Sequence, residues 1–114
     1  YNVLAKDGEV TAILDWTACR IGDPAMDIAS TLVIFNAATQ HLIPSFDSKI
    51  ESQKYLDAYR SERELNEQHL GYYQVFGCAL RFIAGGFIWT QLPIRNELIN
   101  IIYEFSKIPV EVPR

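Results

Sequence analysis

The dipeptide Asp7-Gly8 constrains this chain more than any other feature. It separates two β-prone runs, Val3-Leu4-Ala5 and Val10-Thr11-Ala12-Ile13-Leu14. Asp-Gly supplies the positive backbone φ angles that a tight hairpin turn requires, with no Cβ penalty at the glycine. Folding back at this point carries Asn2, at the start of the first strand, to Asp15, at the end of the second, although they are 15 − 2 = 13 positions apart. An amide oxygen and a carboxylate are hard oxygen ligands, the kind Mg²⁺ takes while it keeps waters and phosphate oxygens in its remaining positions. Taken singly, each residue also has an ordinary structural reading: an Asn before a strand as a turn residue, an Asp after one as a cap or loop acid.

Helix punctuation organises the rest. Asp23 as N-cap and Pro24 at the first helical position predict a helix from Pro24 to about Ala38, with Ile28, Leu32 and Phe35 on one face. Asp27, one turn in, is a favourable charge at a helix N-terminus. His41, Pro44, Ser45 and Asp47 break the periodicity, which predicts a loop over 39–47. Ser48 and Glu51 spell a capping box for a helix ending near Glu62, with Ile50, Tyr55, Leu56 and Tyr59 as its stripe. Asn66 caps the longest predicted helix, from Glu67 to about Gln91, with Leu65 stapled on Leu70. Its apolar face comprises Tyr73, Phe76, Gly77, Leu80, Ala84, Phe87 and Ile88, Gly85 and Gly86 mark a close neighbour or a kink, and Pro93 ends it. A last helix, about Arg95 to Lys107, presents Leu98, Ile101, Ile102 and Phe105; Pro109 closes it, and a loose tail runs from Val110 to Arg114. The fold class that follows is α+β and mostly helical, a β-hairpin followed by about four helices.

A net charge of −4 with scattered basic residues argues against a nucleic-acid surface. The apolar stretch from Val75 to Leu92 contains Arg81 near its middle, which favours a core helix over a membrane span. Cys19 and Cys78 lack metal-ligand spacing and read as free thiols in a reducing, cytoplasmic compartment, and His41 and His69 are not zinc candidates. Arg20 could approach a phosphate, or serve as a loop cation or a partner for Asp23 or Asp27. Glu62, Glu64 and Glu67 form an acidic cluster that would suit a cationic substrate or be simply a solvated surface.

Asn-Val-Leu at 2–4, Ile-Leu-Asp-Trp at 13–16 and Gly-Asp-Pro-Ala-Met-Asp-Ile-Ala at 22–29 together resemble the aminoglycoside phosphotransferase and choline-kinase-like family, small-molecule kinases of protein-kinase-like fold. The resemblance implies ATP or GTP and Mg²⁺ as cofactors, a hydroxyl-bearing small-molecule acceptor, Asn2 and Asp15 as metal ligands, and Asp27 as the support of the catalytic loop. The family's catalytic base stands five positions before the Asn, upstream of Tyr1. Residues 1–114 are therefore expected to be a partial phosphotransferase domain, the C-terminal lobe. Within it 1–29 hold the metal-site hairpin and loop and 30–109 a helical subdomain, with an N-terminal lobe elsewhere in the parent chain and no activity in this part alone. The short interval from Asp15 to Asp23 fits a small-molecule kinase better than a regulated protein kinase. The alternative is a non-catalytic kinase-like nucleotide-binding or helical interaction module.

Overall fold

A computed structural model describes residues 2–19 and 21–110. Strands β1 (Val3–Lys6) and β2 (Glu9–Ile13) form an antiparallel hairpin. Asp7 and Gly8 both take positive φ, 54° and 84°, which matches the right-handed twist of the flanking strands. The register slips between Leu4 and Ala5, which face Ala12 and Val10, so Thr11 bulges out and its Oγ1 donates to the Leu4 carbonyl at 3.2 Å. Apolar side chains on the hairpin stay open to solvent, Val3, Val10 and Ile13 among them.

Helix α1 (Pro24–Val33) buries Ala25, Ile28, Ala29, Leu32 and Val33. It continues without a break through a π-helical turn (Ile34–Thr39) into α2 (Gln40–Leu42). The expected loop over 39–47 therefore begins only after Leu42. A π turn holds more residues per turn than an α-helix, so the spacing set by Ile28 and Leu32 lapses just where the chain is still helical; Ala37 and Ala38 become the buried positions. Phe35 packs edge-on against Phe46 and Tyr55, with centroids 5.1 and 5.9 Å away.

Helix α3 (Ser48–Glu62) starts where expected, but its cap is Asp47, not Ser48. The Asp47 carboxylate accepts from the Lys49 and Ile50 amides at 3.0 and 3.1 Å. Ser48 is instead buried and donates to Gln40 Oε1 at 3.0 Å, while Glu51 pairs with Lys54 at 2.7 Å. A carboxylate one residue upstream is a stronger acceptor for those amides than the serine hydroxyl.

Helix α4 (Glu67–Ala84) has the predicted Asn66 cap, accepting from the Gln68 and His69 amides, and Leu65 packs beside Leu70. It stops seven residues short of the expected end. Gly85 is extended, a 3₁₀ turn follows (Phe87–Thr90), and α5 (Leu92–Ser106) begins with Pro93 in its first turn. Pro93 thus opens a helix, where its missing N–H costs nothing. The buried face of α4 is Leu70, Gln74, Gly77 and Cys78; Phe76 and Leu80 are exposed, contrary to the predicted stripe. In α5, Ile94, Leu98, Ile101 and Ile102 are buried, whereas Phe105 is half exposed.

Two apolar clusters result. One joins Val33, Ala37 and Ala38 to Cys78 and the α5 residues; the other joins Ile28, Ala29 and Leu32 to Leu70, roofed by Tyr55, Leu56 and Tyr59 of α3. Val110 packs on the first cluster, and the expected loose tail beyond it, residues 111–114, lies outside the described residues. No helix among the described residues is long and apolar enough to cross a membrane.

The break after α4 is a matter of space. A Cβ on Gly85 would lie 2.2 Å from the Arg81 carbonyl oxygen and 2.7 Å from Trp89 Cδ1, whereas one on Gly86 would meet nothing within 4 Å. Gly85→Ala is expected to lower the unfolding free energy by about 1–3 kcal/mol through overpacking, and Gly86→Ala to leave it unchanged or raise it slightly. Urea midpoints of the two variants check this; equal effects would contradict the close-approach account.

Candidate phosphotransfer site

The hairpin brings its two ends together by backbone hydrogen bonding. The Leu14 amide donates to the Asn2 carbonyl at 2.7 Å, one step beyond the Val3–Ile13 pair, so Asn2 and Asp15 adjoin at the open end. Asp15 sits in the left-handed region, at φ 59° and ψ 62°, a conformation that non-glycine residues adopt uncommonly and Asp more readily than most. Local bonds hold it there. Trp16 Nε1 donates to the Ile13 carbonyl at 2.7 Å, and Thr17 Oγ1 donates to Asp15 Oδ1 at 2.6 Å. A short 3₁₀ turn (Trp16–Ala18) then leads the chain away. Both Asn2 and Asp15 are exposed.

Asp23 caps α1 as expected, its Oδ1 accepting from the Ala25 amide at 2.9 Å. Its other oxygen, Oδ2, lies 2.6 Å from Nδ1 of His69, in the first turn of α4. Arg20, the partner considered for Asp23 or Asp27, lies outside the described residues. His69 is the contact that sequence reasoning missed: 46 residues separate the pair, and only the fact that both stand at helix starts hints that they meet. The Ala25 amide first and His69 second hold the Asp23 carboxyl below its ordinary value of 3.8.

Asp27 is exposed in the first turn of α1, and its carboxylate accepts no hydrogen bond from the described residues. It borders a cavity of about 560 Å³ that Asp23, Met26 and Cys19 share with Phe76 and Leu80 of α4. The exposed Phe76 and Leu80 of α4 therefore form one wall of a cleft whose other wall is the start of α1 and Cys19. Cys19 and Cys78 are both free thiols; burial pushes the Cys78 thiol up to about 12, so it is inert at neutral pH. In the acidic cluster, Glu67 pairs with Arg60 at 2.5 Å, and Glu62 and Glu64 are exposed. No group of three or more His, Cys, Asp or Glu residues with metal-binding geometry occurs among the described residues.

The model of one protein family, the phosphotransferase enzyme family, matches residues 1–65. That span runs from the hairpin to the end of α3 and covers more than half of the 114 residues. The chain belongs to the phosphotransferase enzyme family. No curated protein and no solved structure matches it. Beyond residue 65, α4 supplies His69 as a partner of Asp23 and Phe76 and Leu80 as a wall of the cleft that Asp23 and Asp27 line.

The depressed Asp23 carboxyl fixes the sign of a pH effect. A group whose folded pKa lies below its unfolded value contributes stability above the unfolded value and loses it as pH falls through the folded one. Asp23→Ala is expected to destabilise the protein at neutral pH, with the difference from the parent shrinking as the pH drops below 3.8. Urea midpoints of both proteins between neutral pH and about pH 2 test this; a difference that persists unchanged at the acid end would show that the carboxylate charge is not what matters.

Proposed function

We propose that this phosphotransferase transfers the γ-phosphoryl group of ATP or GTP to a hydroxyl of a small molecule, with Asn2 and Asp15 as Mg²⁺ ligands and Asp27 as support for the loop that carries the base. The observation that carries the reading is the left-handed, exposed Asp15 held beside Asn2 at the open end of the hairpin. Uncommon backbone conformations held by surrounding bonds concentrate at functional sites. The donor set suits the ion: Mg²⁺ typically takes one or two carboxylates and fills its octahedron with water and phosphate oxygens. Held by Asn2 and Asp15, it would supply positive charge against the phosphate oxygens.

Each residue then has a separate task. Thr17 orients the Asp15 carboxylate by occupying Oδ1, which leaves Oδ2 for a ligand. The Trp16 indole secures the strand end against rotation. Asn2 offers a neutral amide oxygen, and Asp27 offers a carboxylate with no hydrogen bond from the described residues, available to backbone N–H groups of a neighbouring loop. The open apolar faces of the hairpin support a further reading, that a nucleotide-binding lobe of the parent chain covers them. A cytoplasmic setting accords with the two free thiols.

In the intact protein, Asp15→Ala should lower turnover by roughly a hundredfold or more while the thermal midpoint stays near the parent's, because no water replaces the carboxylate's charge. Asn2→Ala should lose less and recover in part at high Mg²⁺. Asp27→Asn should reduce turnover with a smaller effect on nucleotide binding than Asp15→Ala has. Turnover, nucleotide affinity and thermal midpoint measured across a Mg²⁺ titration separate these roles. A well-folded, fully active Asp15→Ala protein would sink the assignment, and nucleotide binding without turnover in the parent would favour the non-catalytic reading.

A further inference from the structure

A second cavity, of about 520 Å³, lies away from the hairpin, between the π turn, α3, α4 and α5. Its volume is in the range of roughly 300–1,000 Å³ that small-molecule sites occupy. Asn36, on its wall, is 12 residues beyond Pro24, or about 18 Å along the helix at the usual rise per residue. The phosphotransfer residues stand at the other end of that rod.

The lining is rich in uncharged amides and carries unused hydrogen-bonding capacity. Gln74 is only 7% exposed, and its amide has no hydrogen-bond partner among the described residues. No buried side-chain nitrogen or oxygen among the described residues lacks a partner, so this unbonded amide reaches solvent through the cavity it lines and is open to a ligand there. Asn36 donates through Nδ2 to the Leu32 carbonyl at 2.9 Å and to Ser52 Oγ at 3.4 Å, which leaves its Oδ1 unbonded among the described residues. Gln40 is not available in the same way, since it donates to the Asn36 carbonyl and accepts from Ser48. Glu97 supplies carboxylate oxygens, bonded only weakly by Asn100 at 3.4 Å and facing His41 at 3.9 Å. The Phe105 ring backs onto α4, where a Cβ on Gly71 would come within 3.3 Å of it, and the half-exposed ring forms an apolar wall of the cavity. The π turn that carries Asn36 is a feature frequent at functional sites.

These groups select a ligand chemistry. An amide both donates and accepts, and a hydroxyl is a compact ligand group that does both in return. Free carboxylate oxygens add acceptors for hydroxyl protons, and a flat aromatic wall suits an apolar ring face. We propose that this cavity binds a small polyhydroxylated molecule of monosaccharide size, at a site separate from the phosphotransfer centre.

The test is a titration of the intact, ¹⁵N-labelled protein, followed at the side-chain amides of Asn36 and Gln74. The probes are D-glucose and myo-inositol, with tetramethylammonium chloride and sodium acetate as charged controls. Saturable shifts at both amides with at least one polyol, and neither control, are expected. Gln74→Leu should weaken that binding by roughly tenfold, the effect of a lost hydrogen bond, while nucleotide affinity is unchanged. Should Gln74→Leu fail to fold, Asn36→Ala on the more open wall reads the same loss. No saturation by either polyol, saturation by tetramethylammonium instead, or competitive displacement of the polyol by Mg²⁺-nucleotide would each overturn the proposal.

Discussion

Burial of one face of α1 against α4 is the contact on which the rest of the molecule depends. Ala25 and Ala29 on α1 and Gly77 and Cys78 on α4 are small, which lets two helices approach closely. Two polar ties fix the pair along its length: Asp23 with His69, and Ser30 Oγ with Nη2 of Arg81 at 2.8 Å. Arg81 also donates to the Gly77 carbonyl and stacks 5.0 Å over the Trp89 ring. Its burial lowers its pKa from the ordinary value, and the stacked indole and two oxygen acceptors offset part of that desolvation. The same guanidinium thus connects α1, α4 and the turn that starts α5. An arginine that first reads as an argument against a membrane span is a junction of three elements.

That junction explains why the site is divided between two kinds of support. Asp23 and Asp27 ride on the start of a helix anchored in both apolar clusters, so their positions are set by the global fold. Asn2 and Asp15 belong to a hairpin whose residues pack hardly at all on the helices, and a two-stranded hairpin alone is of marginal stability. The radius of gyration, 14.9 Å against about 13 Å for a compact domain of this length, reflects the hairpin's separation from the helices.

The parts of the fold that were legible in the sequence are those governed by local chemistry. Asp7-Gly8 has one economical conformation between β-prone runs, Asp23-Pro24 and Asn66 are caps whose side chains reach amides two and three residues away, and all of them fold as read. The misreadings occur where the deciding contact is distant or the period changes. The helix reads only to Ala38 because His41, Pro44, Ser45 and Asp47 read as a loop, whereas the chain stays helical through the π turn to Leu42. Gly85 has the close neighbours its glycine pair suggests, the Arg81 carbonyl and the Trp89 ring, but that signal does not distinguish a kink from the helix end found there. Phe76 and Leu80 read as core because an apolar residue at helical spacing ordinarily is; here they are exposed and line the cleft beside Asp27. Of the candidate site, the motif residues at 2, 15, 23 and 27 stand out as a sequence pattern, while the contact of His69 with Asp23 does not.

The division of support also bears on how the two halves of the site respond to perturbation. Free energies of local opening track buried contacts and protected hydrogen bonds. On that scale the hairpin stands at the low end and the α1–α4 pair near the high end. Asp15 keeps its left-handed conformation through bonds confined to residues 13–17, so a change in the helical core that leaves α1 folded should not disturb it. Conversely, anything that binds the native arrangement of Asn2 and Asp15 raises the stability of the hairpin by mass action and leaves the helices nearly as they were. A metal–nucleotide complex at this end would therefore order the least stable part of the chain against its most stable part, with the Asp15 loop between them.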